Sequence, residues 1–200
     1  MITRGAVMAD APEGGFAAAY RVLAELERAG KVVRGYVVEG LGASQFATPE
    51  IIDHIRTYAD AADGSEWPSG AAHPTPILLA AADPANPYGA VLPWPEHPTA
   101  HPSRAAGAVV VLADGLCLAH LTRGGRSLTV FVAPNGPDRD RTIQLVGQAL
   151  QHAATDGRIS RIRIEEIDGQ RAGVGPDTTA LLAAHGRITP QGVAFDSRST

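Results

Sequence analysis

The chain has 200 residues, of which 44% are hydrophobic and 19% charged, and its formal net charge is −4 at pH 7. This length suits one or two domains with buried cores, and the negative charge argues against a uniformly basic nucleic-acid binder. The single cysteine excludes an internal disulfide and indicates a reducing compartment. No apolar run reaches the ~18 residues of a membrane span. We therefore expect a cytoplasmic protein with no membrane partner.

Charge is distributed unevenly along the chain. Residues 1–47 contain five basic and five acidic side chains, and residues 48–103 contain one Arg against seven acids. Residues 104–171 contain nine Arg against seven acids. We therefore expect any nucleic-acid contact to use the first and the third of these segments.

The first segment is predicted to form a helix followed by a two-stranded wing. Apolar residues recur at helical spacing through residues 16–26, and Gly30 provides a left-handed helix stop. Residues 32–38 are rich in valine and predict a strand, and residues 44–47 return as a second strand after a glycine turn. This order is that of the second half of a winged helix, whose helix usually enters the major groove. An ordinary helix–hairpin in an enzyme core is the alternative.

The regions around this unit define the domain prediction. Only a short helix fits residues 3–9, so the winged helix lacks its first helix and is either degenerate or part of a fragment. Residues 48–61 predict a helix that has Thr48 as its N-cap and a proline at its first position. Residues 63–75 lack periodicity and predict a linker between a domain at 1–62 and another at 76–200.

The region 76–200 is predicted to be an α+β domain. A buried strand at 77–82 precedes a proline-rich loop at 83–98, which is either functional or a cover over one end of a barrel. Asp114-Gly115 and residues 123–126 are turns that connect a three-stranded meander. Helices at 138–154 and 176–184 and strands at 158–167 and 193–195 complete the prediction. The fold class is therefore α+β, with a partial winged helix followed by a small antiparallel sheet or open barrel and flanking helices.

Motifs for catalysis and metal binding are absent from the sequence. The chain contains no GxxxxGK[ST] phosphate loop, no GxSxG and no HExxH. His97 and His101 lie four residues apart, but in a proline-rich loop and not on a helix, so a zinc site is not expected. The acidic run Glu165-Glu166 with Asp168 is interpreted as surface charge, because adjacent strand residues point to opposite faces. We predict no catalytic residue, no metal site and no cofactor in this chain.

Three long blocks and the chain's ending resemble one family. The blocks RGYVVEGLGASQFATPE, AAADPANPYGAVLPWPE and SRAAGAVVVLADGLCLAHLTRGGRSLTVF, with the ending TPQGVAF, are similar to the C-terminal end of Lhr-type (large helicase-related) ATP-dependent DNA helicases. The more distant resemblance is to winged-helix DNA glycosylases of the AlkZ/YcaQ type. The resemblance covers nearly the whole chain, and it implies tandem winged helices closed by a β-barrel.

The resemblance implies that this chain is an accessory nucleic-acid-binding module in DNA repair, without the ATPase motor. The motor, with its ATP and magnesium, would lie in upstream helicase domains of the same protein. The expected partners are DNA, single-stranded or forked, and those upstream domains. Two alternatives remain: part of a DNA glycosylase, or a domain for self-association into a homo-oligomer. For a glycosylase, Asp196 is the acid that would activate a water, although a frayed C-terminal tail is the preferred interpretation of this residue.

The residues predicted to contact DNA come from both basic segments. Arg21, Arg34 and Gln45 belong to the helix and wing, where contacts with the backbone or the bases are expected. Arg104, Arg123 and Arg126 precede the first meander strand or flank the Gly-Gly turn, and they are expected to hold phosphate, since Arg matches phosphate oxygens.

Overall fold

The computed structural model describes residues 1–42, 44–59 and 75–197. The chain divides into two compact units, one of residues 1–72 with 90–92 and the other of residues 73–89 with 93–200. The predicted linker at 63–75 lies, except for its last residue, outside the described residues. The division of the chain at this linker stays a prediction.

The described residues of the first unit form three helices and a two-stranded sheet. Its elements are α1 (Arg4–Asp10), α2 (Gly15–Arg28), β1 (Val33–Gly35), β2 (Gln45–Ala47) and α3 (Pro49–Ala59). The helix and the wing follow the predicted order, although β1 is shorter than the predicted 32–38 strand. The Gly30 stop is present, with φ +68° and a hydrogen bond from its N–H to the Glu27 carbonyl.

The core of the first unit lies around Phe46 of β2. Phe46 is fully buried, its ring meets the Tyr20 ring edge-on at 5.7 Å, and its backbone pairs with Ile2. Of the apolar stripe predicted on α2, only Leu23 is buried, and Leu26 remains exposed. The stripe is therefore only partly covered by the described residues of this unit.

In the second unit, the part of the chain that the structure describes forms two sheets, two helices and a short 3₁₀ turn. Its elements are β3 (Ile77–Ala80), β4 (Val109–Ala113), β5 (Leu116–Leu121), the 3₁₀ turn (Arg123–Gly125), β6 (Ser127–Val130), α4 (Arg139–Thr155), β7 (Arg161–Ile164), β8 (Glu166–Ile167), β9 (Gln170–Arg171), α5 (Pro176–Ala183), β10 (Arg187–Thr189) and β11 (Gly192–Asp196). The larger sheet has the order β3-β4-β5-β6-β8-β9, and the smaller sheet has the order β10-β11-β7.

Strand pairing in both sheets is antiparallel except between β6 and β8, which run parallel. The predicted meander is β4, β5 and β6, with Asp114 and Gly115 in left-handed conformations at its first turn. The described strands form open sheets and no closed barrel. The α+β prediction with a small, largely antiparallel sheet is therefore confirmed.

The core of the second unit lies between the sheets and α4. Ile143, Val146, Leu150 and Ala153 of α4 are buried, as their helical spacing predicts, and α4 packs on α5 and β11. Three features differ from prediction. Residues 158–167 form two short strands, and β9 and β10 had not been predicted. β8, β9 and β10 contain only two or three residues, too few for a periodic pattern to show.

Candidate nucleic-acid interface

A close backbone approach holds the Gly-Gly turn against β7. Gly125 is buried with φ +74°, and a Cβ added to it would lie 2.5 Å from Cγ2 of Ile162. Only glycine fits both the left-handed conformation and this contact. The carbonyl of the next residue, Arg126, accepts hydrogen bonds from the N–H groups of Glu165 and Glu166 at 2.8 and 3.0 Å. The turn therefore fixes the backbone of Arg126 beside the end of β7.

Three arginines meet at this point. Arg126, Arg161 and Arg163, together with Gly124, line a hollow of about 260 Å³. Arg161 and Arg163 alternate on β7 with Ile162 and Ile164, which are buried, so both arginines lie on the outer face of the strand. The hollow combines a glycine turn with guanidinium groups, an arrangement that suits a phosphate.

One carboxylate partly balances this charge. Glu165 receives a hydrogen bond from Nε of Arg163 at 3.0 Å, and its Oε1 lies 3.7 Å from Nε of Arg126. Arg161 has no ion-pair partner among the described residues. Three guanidinium groups against one carboxylate leave a positive excess at the hollow, so an anionic ligand is favoured there.

A second hollow adjoins the first through Arg161. It has a volume of about 340 Å³ and is lined by Ser160, Arg161, Arg187, Asp196 and Ser197. Arg187 donates a hydrogen bond to Oδ2 of Asp196 at 2.8 Å. Asp196 ends β11 opposite Arg161, and it is only 9% exposed. The interpretation of Asp196 as part of a frayed tail is therefore wrong, because strand pairing and the ion pair fix it in the fold.

Two residues predicted to contact DNA are occupied with other contacts. Gln45 is fully buried. Its Oε1 accepts from the N–H groups of Val37 and Val38, and its Nε2 donates to the carbonyls of Val38 and Gly42. In this arrangement Gln45 holds the wing loop together and presents no surface to a nucleic acid.

Arg104 has an analogous role in the second unit. Its guanidinium donates to four carbonyls, those of Ala82, Asp83, Asn86 and Tyr88, at 2.7 to 3.2 Å. These bonds hold the loop that begins at Ala82 and satisfy the donors that a phosphate would need. Arg104 therefore clamps this loop in the structure.

The other four predicted residues lie on exposed surface of two different units. Arg21 on α2 is exposed, and Arg34 on β1 donates to the Tyr20 hydroxyl at 2.6 Å and lies 3.4 Å from Glu27. Arg123 and Arg126 are exposed at the 3₁₀ turn of the second unit. The structure thus joins Arg126 to Arg161 and Arg163, two residues that were not among the predicted DNA contacts.

A buried ionic network supports the second unit. Arg139 is 4% exposed and donates to both oxygens of Asp177, at 3.1 and 2.6 Å, to Oδ2 of Asp168 at 2.7 Å and to the Val132 carbonyl at 3.0 Å. Oδ1 of Asp168 lies 3.2 Å from Nε2 of His97. Burial disfavours the charged guanidinium, but the two carboxylates outweigh this effect and raise the pKa of Arg139.

This network corrects the interpretation of Asp168 as surface charge. Asp168 has φ +48° and starts an Asp-Gly turn between β8 and β9, which directs its carboxylate inward. The Asp-Gly pair was the available sequence signal, because such pairs mark two-residue hairpins. No local pattern indicated that Arg139 is the partner of Asp168, because the two residues are 29 positions apart in the sequence.

The described residues support neither nucleophilic catalysis by the cysteine nor the binding of a metal ion. Burial raises the pKa of the Cys117 thiol to about 12, so the thiolate is scarce at neutral pH. The described residues contain no group of three or more His, Cys, Asp or Glu side chains placed to hold a metal ion. No helix in the described part of the chain is long and apolar enough to cross a membrane.

Comparison with known proteins identifies the family. Residues 1–67 match the family model described as the winged-helix domain of the large helicase-related protein. The chain is 44% identical, over 96% of its length, to a protein of Mycolicibacterium smegmatis named Lhr helicase/probable uracil glycosylase. It is 35% identical, again over 96% of its length, to an Escherichia coli protein named Lhr helicase/uracil glycosylase. The chain belongs to the C-terminal region of Lhr-type helicases.

This assignment confirms the resemblance seen in the sequence blocks. The winged-helix match coincides with the helix, wing and following helix of the first unit. The chain spans only 13% and 12% of the lengths of these two Lhr relatives. It is therefore an accessory module with respect to a larger Lhr-type helicase.

Proposed function

We propose that the chain is a nucleic-acid-binding accessory module that works in DNA repair beside the motor of an Lhr-type helicase. The observation that carries this proposal is the hollow lined by Arg126, Arg161 and Arg163. Its glycine turn and positive excess suit the phosphates of a single-stranded or forked DNA. The ATP- and magnesium-dependent motor would lie elsewhere in the same protein, and this chain would hold the strand.

The phosphate track would extend from this hollow. Arg123 lies on the same turn and is exposed, and Arg187 lies beyond Arg161 in the second hollow. Arg21 of the first unit would provide a separate backbone contact on the exposed face of α2. These contacts are sequence-independent, so affinity should depend on salt more than on base composition.

The test is the salt dependence of oligonucleotide binding, measured by fluorescence anisotropy with single-stranded, forked and duplex DNA. Replacing Arg126, Arg161 and Arg163 together by Ala should lower the magnitude of the salt slope by about 2 for single strands. Arg141→Ala, an exposed arginine on α4, is the matched control and should leave the slope unchanged. An unchanged slope in the triple variant would refute the phosphate site.

A second function, base excision, is favoured by the position of Asp196. A carboxylate in a polar hollow of about 340 Å³ can activate a water, and both relatives carry uracil glycosylase in their names. In the proposed step Asp196 accepts a proton from water, whose oxygen bonds to C1′ of the deoxyribose. The N1–C1′ bond breaks, its electron pair leaves with uracil, and the proton is passed to the base. Arg187 would orient the carboxylate of Asp196.

This second function has its own assay. Incubation with uracil-containing single strands should give abasic sites that alkali cleaves. Asp196→Asn should abolish cleavage while oligonucleotide affinity stays within about twofold, because the amide keeps the shape of the carboxylate. Equal cleavage by the variant would refute the role of Asp196. Self-association into a homo-oligomer stays a prediction, and light scattering that reports a monomer would contradict it.

A further inference from the structure

A second polar surface lies on the larger sheet, under the proline-rich loop. On β5 and β6, His120 pairs with Thr129, and Ser127 lies on the same face. The alternate residues Leu121 and Leu128 are fully buried in the core. An outward polar face of this kind is normally solvated, yet His120 and Thr129 are themselves buried. Something covers this face.

The cover is the chain from Trp94 to Ser103. The ring of Trp94 meets the ring of His120 edge-on at 5.5 Å, and Nε2 of His120 lies 3.0 Å from the Ser103 carbonyl. Between these points His97 accepts hydrogen bonds at Nδ1 from the N–H groups of Thr99 and Ala100, at 3.3 and 3.0 Å. Its Nε2 faces Asp168. The cover is thus pinned to the sheet at both ends and at its middle.

A hollow of about 370 Å³ remains between this cover and the sheet. It is bounded by His101 and Thr99 from the loop, by His120, Ser127 and Thr129 from the strands, and by Asp168 from the β8–β9 turn. Its volume lies in the range of small-molecule sites. Because the loop is pinned on both sides of the hollow, the space is a built feature of the fold.

Three polar groups of this hollow have no hydrogen-bond partner among the described residues. Among the described residues, the hydroxyls of Ser127 and Thr129 and Nδ1 of His120 have no hydrogen-bond partner. Burial lowers the pKa of His120, so this ring is neutral at pH 7. Its Nε2–H group donates to the Ser103 carbonyl, and Nδ1 is therefore the acceptor. Each hydroxyl can both donate and accept.

The hollow offers no cation to an anionic ligand. No Arg or Lys is among the described residues that line it, and the carboxylate of Asp168 is already paired with Arg139. The two hydroxyls and the neutral imidazole are therefore the groups that a ligand would meet. A neutral, planar group that carries both donors and acceptors on its edge matches them, and nucleobases are such groups.

We propose that the hollow between residues 99–102 and strands β5 and β6 binds a single unstacked nucleobase of the DNA strand. The proposal rests on the proposed nucleic-acid-binding function and adds a base site to the phosphate contacts. Ser127 and Thr129 bind the edge of the base through their hydroxyls. The neutral ring of His120 accepts a hydrogen bond from the base at Nδ1, and His101 closes the open side of the hollow.

The test uses the 200-residue chain and the four deoxynucleosides as probes, titrated to about 10 mM and followed by backbone-amide NMR. Binding should shift the amides of residues 120, 127 and 129. Ser127→Ala combined with Thr129→Val should weaken this binding about 25-fold, because each lost hydrogen bond contributes about fivefold. Thr179→Val, an exposed threonine on α5, is the matched control. If the double variant fails to fold, His101→Ala at the exposed rim should still weaken binding about fivefold.

Each outcome decides the proposal. Free 2-deoxyribose that binds as well as the nucleosides would overturn it, and so would nucleoside binding that the variants leave unchanged. If no nucleoside binds while oligonucleotides still bind with the expected salt slope, the base site is refuted and the phosphate interface stands. If oligonucleotides also fail to bind, the proposed function itself is refuted.

Discussion

Replacing Arg139 by Met should strongly destabilise the second unit. Arg139 makes four hydrogen bonds, three of them to the carboxylates of Asp168 and Asp177, and it is 4% exposed. The substitution keeps the apolar stem but leaves two carboxylates without a cation. Their side chains are only 12% and 25% exposed, so water can replace the guanidinium only in part.

The expected cost follows from this burial. Breaking a buried ion pair by removing one partner costs about 3–5 kcal/mol in free energy of unfolding. The cost of leaving Asp168 without its partner should lie at the upper end of that range. The cost for Asp177 should be lower, because the Asp177 side chain is more exposed. For a chain of this size, the midpoint of thermal unfolding should fall by roughly 6–20 °C. Arg139→Lys should cost less, since a charge remains but the two-pronged contact with Asp177 is lost.

The assay is urea unfolding followed by circular dichroism, with Gln148→Met on the same helix as the control. Gln148 is exposed, and its substitution should change the free energy of unfolding by less than about 0.5 kcal/mol. A loss below about 1 kcal/mol in Arg139→Met would refute the view that this network stabilises the unit.

Three further predictions concern single residues. Gln45→Ala should destabilise the first unit by about 2–4 kcal/mol in urea unfolding, because four hydrogen bonds to the wing loop are lost. The loop should also become more sensitive to protease, and unchanged protease resistance would contradict this prediction. Gly125→Ala should lower the free energy of unfolding by about 2–4 kcal/mol, because its Cβ would meet Ile162 of β7. Gly124→Ala should lower it by only about 1 kcal/mol, because its Cβ would meet open space. Equal losses would show that the contact with β7 is unimportant. Burial lowers the pKa of His120 below that of the unfolded chain, so its stability contribution is complete above about pH 6.5 and is lost as pH falls. His120→Gln should therefore reduce the loss of stability between about pH 7 and about pH 5, and an identical loss would count against this reasoning.

Local patterns in the sequence identified most of the helices and the longer strands. The stripe on α4 and the meander were predicted at nearly their observed bounds, because amphipathic periods and Asp-Gly turns are local signals. The basic character of the Gly-Gly turn was also visible, and Arg123 and Arg126 are exposed there as expected. Strands of two or three residues left no period to detect.

The candidate site could be predicted only in part, since burial is a property of the whole fold. Gln45 and Arg104 have the residue types that DNA contacts favour, yet the fold encloses one and gives the other four carbonyl partners. Arg161 and Arg163 were not predicted to contact DNA, and only the position of β7 beside the turn at Gly124 brings them to Arg126. Neither outcome can be read from neighbours in the sequence.

The sequence by itself determined the family, the α+β class and the arginine-rich character of the second unit, because these depend on order, local periodicity and composition. Only the tertiary structure decided which arginines share a hollow, that Asp196 is fixed beside Arg187, and that Asp168 faces inward. The reason is physical, because the role of a charged side chain depends on the groups that lie around it. These groups are distant in the sequence and come together only when the strands pack.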